Sequence, residues 1–246
     1  MIVSRQNALI KLIKSLSDKK NRDELSLYVA EGIKTVTEAV ITGQKFYAVV
    51  FTAKAKPNLP CEVFSVAERI EETTEEVFSY ISGEVSPQGA LAVLYKPETV
   101  KESGGYSVFL DGVSDPANVG AIIRTAAAAG YKDVYMTDDS ADAFNPKAVR
   151  ASMSGIFRIS VIKGERNELI KKVKVPLVVA DMKGEDVFSF KSIGSVCIVI
   201  GNEGNGVSET VKKNATKTIS IPMENGMESL NAAVSAGILM YNLKKR

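Results

Sequence analysis

The chain has 246 residues, of which 45% are apolar and 24% charged, with 31 Lys and Arg against 29 Asp and Glu. That balance belongs to a water-soluble globular protein, and the length allows one large domain or two small ones. Histidine and tryptophan are both absent. Without histidine, Ser-His-Asp and Cys-His catalysis, histidine-ligated zinc and histidine acid–base pairs are excluded. Any proton transfer falls to another group. The two cysteines, Cys61 and Cys197, form no CxxC pair. They suggest a reducing compartment and two buried thiols. With no stretch of the ~18–20 apolar residues that span a bilayer, a cytoplasmic location is expected.

In chain order, Asn7–Leu16 and Ile33–Ile41 carry helical spacing. Phe46–Phe51 and Cys61–Val66 read as strands, Ala67–Tyr80 as an acidic helix, and Ala90–Tyr95 as a strand. Residues 96–105, polar with a proline and a Gly pair, read as a linker between residues 1–95 and residues 106–246. Beyond it, apolar runs at Val108–Leu110, Val134–Met136, Leu177–Ala180, Val196–Ile200 and Thr218–Ile221 alternate with helical segments. That predicts an α/β fold with a parallel sheet covered on both faces.

The small net charge of +2 is a sum of opposed patches. Residues 1–22 hold six bases against one acid, and residues 146–174 eight against two; residues 61–84 hold seven acids against one base. Basic segments of this kind are either solvated helix faces or a surface for a polyanion.

Three motifs concentrate in the second half. The first, Asn118-Val-Gly120-Ala-Ile-Ile-Arg124-Thr-Ala, follows a strand and opens a helix that stops at Gly130. Asn118 there is a cap or a turn residue on the simplest view. Arg124 stands among small apolar residues, so the helix is expected to be buried nearly all round. A buried guanidinium demands an anion, either a structural carboxylate or a substrate phosphate. The second, Gly201-Asn-Glu203-Gly204-Asn-Gly206, is a glycine turn at a strand end. Such turns let backbone approach a ligand or simply turn tightly. Its spacing is neither the dinucleotide G-x-G-x-x-G nor a phosphate-binding P-loop. The third, Ile221-Pro-Met223 through Glu228-Ser229-Leu230-Asn231-Ala, ends a strand and begins a small-residue helix near Ser229, with Ser229 as the expected cap and Asn231 in the first turn.

Together, in this order, the three blocks resemble motifs 1, 2 and 3 of the SpoU (SPOUT, TrmH-like) RNA 2′-O-ribose methyltransferases. Phe144-Asn-Pro-Lys147-Ala-Val-Arg150-Ala-Ser152-Met-Ser-Gly155 resembles the family as well. Ser4-Arg-Gln-Asn7, Val29-Ala-Glu31-Gly32 and Ser86-Pro-Gln88-Gly89 look like its N-terminal substrate-binding domain. The resemblance implies a trefoil-knotted C-terminal domain after a small ribosomal-protein-like α/β domain, and a homodimer. It implies methyl transfer from S-adenosylmethionine, without a metal, to a ribose 2′-hydroxyl. Ribosomal RNA, 23S in particular, is the expected substrate. A tRNA substrate, a silent RNA-binding relative and a nucleotide enzyme built on the glycine loop are the rivals.

Carried over by position, Arg124 is the family's base or base-assisting residue. As an arginine stays protonated at neutral pH, a clamp on the RNA phosphate that also stabilises the alkoxide is the more conservative role. Asn118 is expected to orient the ribose or Arg124. Glu203, Ser229 and Asn231 complete the catalytic set. Gly201, Asn202, Gly206, Ile221, Pro222, Met223 and Leu230 are expected at the cofactor. Arg5, Lys11, Lys14, Lys147 and Arg150 are expected to contact RNA. Asn242 departs from the acidic residue common after the tyrosine, with no consequence for catalysis.

Overall fold

The computed structural model describes residues 1–98, 102–191 and 194–244. The chain divides into two compact units, Met1–Glu98 with Phe144–Phe157, and Thr99–Ala143 with Arg158–Arg246.

In the first unit, α1 (Ala8–Ser15) and α2 (Lys19–Leu25) precede β1 (Leu27–Glu31), α3 (Ile33–Ile41) and β2 (Phe46–Thr52). Next come α4 (Val63–Val66), β3 (Ala67–Thr73), α5 (Glu75–Ile81) and β4 (Ala90–Tyr95). The sheet order is β1-β4-β2-β3, with β4 antiparallel to β1 and β2, and β3 parallel to β2. Leu9, Ile10 and Ile13 of α1 and Val77, Phe78 and Ile81 of α5 close over Ala48, Val50, Leu91 and Val93 of the sheet.

Residues 61–80 depart from expectation. Cys61–Val66 holds a short helix rather than a strand, and Ala67–Tyr80 is a strand followed by a helix. β3 is an edge strand, where charged side chains stand in water and discourage further pairing. Its glutamates mimic a helical face when read in sequence. Thr74 then caps α5, its hydroxyl accepting the Val77 N–H at 3.3 Å, with Glu75 and Glu76 in the favourable first turn. Cys61 is exposed, contrary to the expected burial, whereas Cys197 is buried and its thiol is pushed up to about 12 by desolvation.

The second unit runs β5 (Ser107–Asp111), α6 (Pro116–Ala129) and β6 (Asp133–Thr137) before the excursion through α7 (Pro146–Ser152). It resumes with β7 (Ser160–Gly164), α8 (Arg166–Lys172), β8 (Leu177–Asp186), β9 (Cys197–Gly201), α9 (Glu209–Lys213), β10 (Lys217–Ser220) and α10 (Ala232–Leu243). The sheet is six-stranded, in the order β10-β8-β9-β5-β6-β7, and every pair is parallel. Leu169 of α8 and Val211 of α9 cover one face, against Phe109, Tyr135, Ile162, Val179 and Val199. α6 and α10 lie against each other and against β5 and β9. The α/β fold with a parallel sheet is therefore as expected, with β7 as a strand not anticipated.

Nothing in the sequence pattern foretells that Phe144–Phe157 packs with the first unit. There Phe144 meets Tyr28 with ring centroids 4.8 Å apart, and α7 lies against β1. Within the 96–105 segment, the Lys96 ammonium lies 2.6 Å from Asp23 and the Ser103 hydroxyl donates to Asp133 at 2.6 Å. Residues 99–101 fall outside the described residues. Among the described residues no helix is long and apolar enough to cross a membrane.

Candidate active site

The site lies at the carboxyl ends of the central strands, where β5 and β9 are neighbours although β6 follows β5 in the chain. Open parallel sheets bind ligands at such switch points. Asp111 of β5 stands in register with Gly201 of β9, so the loops carrying motifs 1 and 2 leave the sheet side by side.

Motif 1 begins with Asp115, whose carboxylate accepts the Ala117 N–H at 3.0 Å, and with Pro116 at the first helical position. That start places Asn118 in the first turn of α6, buried. Motif 2 folds back on itself. Asn202 and Gly206 exchange backbone hydrogen bonds at 3.0 and 2.9 Å, and the Asn202 amide oxygen accepts the N–H groups of Gly204 and Asn205. The Asn202 amide nitrogen donates to the Gly112 carbonyl at 2.8 Å. A Cβ on Gly201 would run into the backbone of Gly206 and Val207. Gly201→Ala is therefore expected to destabilise the protein by roughly 1–3 kcal/mol or more, read as a lower urea midpoint.

Motif 3 corrects the expected helix start. The chain is irregular from Ile221 to Asn231, and Asn231, not Ser229, caps α10, accepting the Ala233 and Val234 N–H groups at 2.9 and 3.3 Å.

One chain of amides joins all three motifs. The Asn231 side-chain nitrogen donates to Asn118 Oδ1 at 3.0 Å, and Asn118 Nδ2 donates to Glu203 Oε1 at 2.9 Å. Glu203 also accepts the Ser114 hydroxyl at 2.9 Å and the backbone N–H groups of Ser114 and Asp115 at 3.1 and 3.4 Å. Desolvation acts to raise the Glu203 carboxyl, but the bonds from Asn118 and Ser114 prevail and hold it at about 2. Ser114 is not foreseeable from the sequence, because a serine in a turn carries no signal of its own.

A cleft of about 740 Å³ opens beside this network, in the range of small-molecule sites. Motif 2 from Ile200 to Val207, together with Ile221, Met223 and Ser229 to Ala232, lines it, with Ala180 to Met182 and Lys212 completing the wall. Of the residues expected at the cofactor, Gly201, Asn202, Gly206, Ile221, Met223 and Leu230 line the cleft, whereas Pro222 does not. The Ala180–Met182 wall comes from a break in register between β8 and β10, where Thr218 pairs with Val179 but Ile219 with Glu185. This break is invisible in the sequence. Among the described residues, no three Cys, Asp or Glu side chains gather as a metal-holding group.

Arg124 is placed differently from expectation. It is exposed rather than buried, it does not line the cleft, and its guanidinium has no hydrogen bond or ion pair among the described residues. α6 buries Val119, Ile122, Ile123 and Ala126, and Arg124 falls on the opposite side with Ala128. Alanines do not declare which face of a helix is wet, so the sequence pattern suggests burial all round. Asn118 correspondingly contacts Glu203 and Asn231, not Arg124.

The residues expected at RNA all fall in the first unit. Arg5 pairs with Glu76 at 2.8 Å and Lys14 donates to the Tyr80 carbonyl at 2.8 Å. Their charges lie 5.1 and 4.9 Å from the Tyr80 ring centroid. Lys11 and Lys147 are exposed; Arg150 is half-buried, 3.1 Å from Glu84. Arg22, counted in the basic N-terminal segment, is instead buried and donates to the Leu16 and Ser17 carbonyls at 2.8 Å. It serves the fold.

Comparison with known proteins identifies the family. Residues 105–241 match the SpoU rRNA Methylase family, and residues 7–92 match an MRM3-like substrate binding domain. The 23S rRNA guanosine 2′-O-methyltransferase RlmP of Bacillus subtilis is 30% identical, over 99% of this chain and 98% of the relative. A 23S rRNA uridine 2′-O-methyltransferase of Streptomyces viridochromogenes is 33% identical over 54% of this chain and 50% of its own. The AdoMet-bound rRNA methyltransferase of Sinorhizobium meliloti superposes with a TM-score of 0.88 at 28% identity, covering 98% of this chain and 96% of that one. This chain belongs to the SpoU rRNA methylase family.

Proposed function

We propose that the protein transfers a methyl group from S-adenosylmethionine to a ribose 2′-hydroxyl of RNA, with 23S ribosomal RNA as the substrate. The observation that carries this reading is the Glu203–Asn118–Asn231 network, which draws the three motifs to one rim of the cleft. The cleft suits the cofactor. Its glycine loop offers backbone groups, and Ile200, Ile219, Ile221 and Leu239 offer an apolar slot. When bound, S-adenosylmethionine supplies a methyl on a sulfonium, an electrophile that needs no further activation.

The chain's own residues then have to orient the ribose and meet the charge that develops on its oxygen. Asn118 has both amide atoms committed, so it acts by fixing Glu203 and Asn231 rather than by touching substrate. Glu203 stays ionised and ties motif 2 to the start of α6. Ser229, exposed on the motif 3 loop and lining the cleft, offers a hydroxyl to the ribose. Arg124, without an ion pair among the described residues, clamps the RNA phosphate and stabilises the alkoxide.

Residues 1–95 serve as the RNA-binding domain and 106–246 as the methyltransferase domain, in a cytoplasmic homodimer whose catalytic unit is trefoil-knotted. The return of α10 onto α6 and β9 after β10 supports the knot. Exposed Met227, Leu230, Val234 and Tyr241 support a dimer contact along α10 and the loop before it.

Affinity for RNA should fall with salt, and Lys11→Ala should flatten the log–log salt slope by about 1 if that lysine meets a phosphate; filter binding over a salt series measures it. The proposed substrate is tested by offering labelled S-adenosylmethionine with deproteinised ribosomal RNA and with tRNA. Label is expected in 23S RNA. Label in tRNA alone would overturn the substrate assignment.

A further inference from the structure

We infer that Arg166 is a positioning residue for the cofactor-binding glycine loop, acting through Asp111 on Ser208. The inference rests on the reading of the cleft as the cofactor site. Arg166 lies outside the cleft lining and outside all three motifs, and by charge alone it belongs to a basic segment suited to RNA.

The Asp111 side chain is 0% exposed, and a buried carboxylate persists only with its charge matched and both oxygens satisfied. Each oxygen has one donor. Arg166 Nε reaches Oδ1 at 2.6 Å, and the Ser208 backbone N–H reaches Oδ2 at 2.7 Å. The guanidinium continues to Asp139, with Nη2 at 2.7 Å from Oδ2. One planar fork thus joins the ends of β5 and β6 at the first residue of α8, a geometry lysine does not reproduce.

Asp111 consequently holds both feet of the glycine loop. Its backbone pairs with Gly201, where the loop leaves β9, and its side chain fixes Ser208, where the loop enters α9. The residues between them, Gly201 to Val207, line the cleft, so Asp111 anchors both ends of the loop while Asn202 and Glu203 tie its middle. The guanidinium matches the charge of that carboxylate and holds it in place.

Arg166→Met strands the carboxylate and releases Ser208. Titration calorimetry with S-adenosylhomocysteine on the full-length protein, with steady-state kinetics and thermal melts, tests the idea. The variant is expected to bind S-adenosylhomocysteine about tenfold more weakly. The KM for S-adenosylmethionine should rise by a similar factor, while the KM for RNA stays within about twofold. Arg166→Lys should lie between the two. Adding Asp111→Asn to Arg166→Met removes the stranded charge but keeps an acceptor for Ser208, so it should restore much of the affinity; if the single variant does not fold, this double variant carries the comparison. A raised KM for RNA with unchanged S-adenosylhomocysteine binding would make Arg166 an RNA contact and overturn the inference. So would equal loss in the single and double variants. No binding by the unaltered protein would instead count against the cofactor reading itself.

Discussion

Arg124→Ala is expected to lower the rate of methyl transfer by roughly 100- to 1,000-fold while changing stability by no more than about 0.5 kcal/mol. The two halves follow from one observation. The guanidinium is exposed and makes no hydrogen bond or ion pair among the described residues, so the fold loses nothing when it goes. An arginine so placed on a helix whose first turn carries the Glu203–Asn118 contact is spare for a ligand. Single-turnover rates at saturating RNA and cofactor, beside thermal melts, make the measurement. Arg124→Lys keeps the charge but loses the planar fork, and about a tenfold loss is expected. Activity close to wild type in the lysine variant would remove the clamp role, and a large loss of stability in the alanine variant would show that Arg124 serves the fold.

Asn118→Ala should behave oppositely, costing stability and activity together. Its amide gives one bond to Glu203 and takes one from Asn231, and it is buried. Loss of both is expected to destabilise by roughly 1–3 kcal/mol and to slow transfer by about 100-fold, as the motif 2 and motif 3 loops lose their common tie. The effect should not add to that of Glu203→Gln in a double-mutant cycle.

The same bond has a signature in pH. Glu203 is held at about 2 against an ordinary 4.5. A depressed carboxyl contributes stability that is present above the ordinary value and is lost as pH falls from 4.5 through about 2. Removing Asn118 takes away one of the bonds that depress it. The acid-unfolding midpoint of Asn118→Ala should therefore lie at higher pH than that of the unaltered protein, followed by circular dichroism. An unchanged midpoint would mean that Ser114 and Asp115 alone hold Glu203.

Much of the catalytic unit was legible because its strands are buried on both faces. Val108–Leu110, Val134–Met136 and Val196–Ile200 are unbroken apolar runs with few competing readings. β7, Ser160–Gly164, escaped because it is a half-exposed edge carrying Lys163. The first unit was harder at Ala67–Tyr80, where charges on the edge strand β3 mimic a helix.

The residues of the site were legible as motifs, but their connections were not. Asn118, Glu203 and Asn231 lie 85 and 113 residues apart in the contacts they make, and no local pattern announces that they meet. Two local inferences failed for the same reason. Ser229 and Asn231 are both good caps, and the choice falls on Asn231, whose amide caps the helix with its oxygen and reaches Asn118 with its nitrogen. Arg124 seemed buried because alanine suits either side of a helix. Asp111 and Arg166 left no signal, since a carboxylate ending a strand and an arginine opening a helix are each ordinary until the fold brings them to 2.6 Å.

The proposed methyl acceptor is a ribose oxygen. Labelled product RNA, digested with alkali, decides it directly, because a 2′-O-methyl group blocks cleavage at its own nucleotide. Label is expected in alkali-resistant dinucleotides, accumulating far more slowly with Arg124→Ala. Label recovered in mononucleotides, on a base, would contradict it.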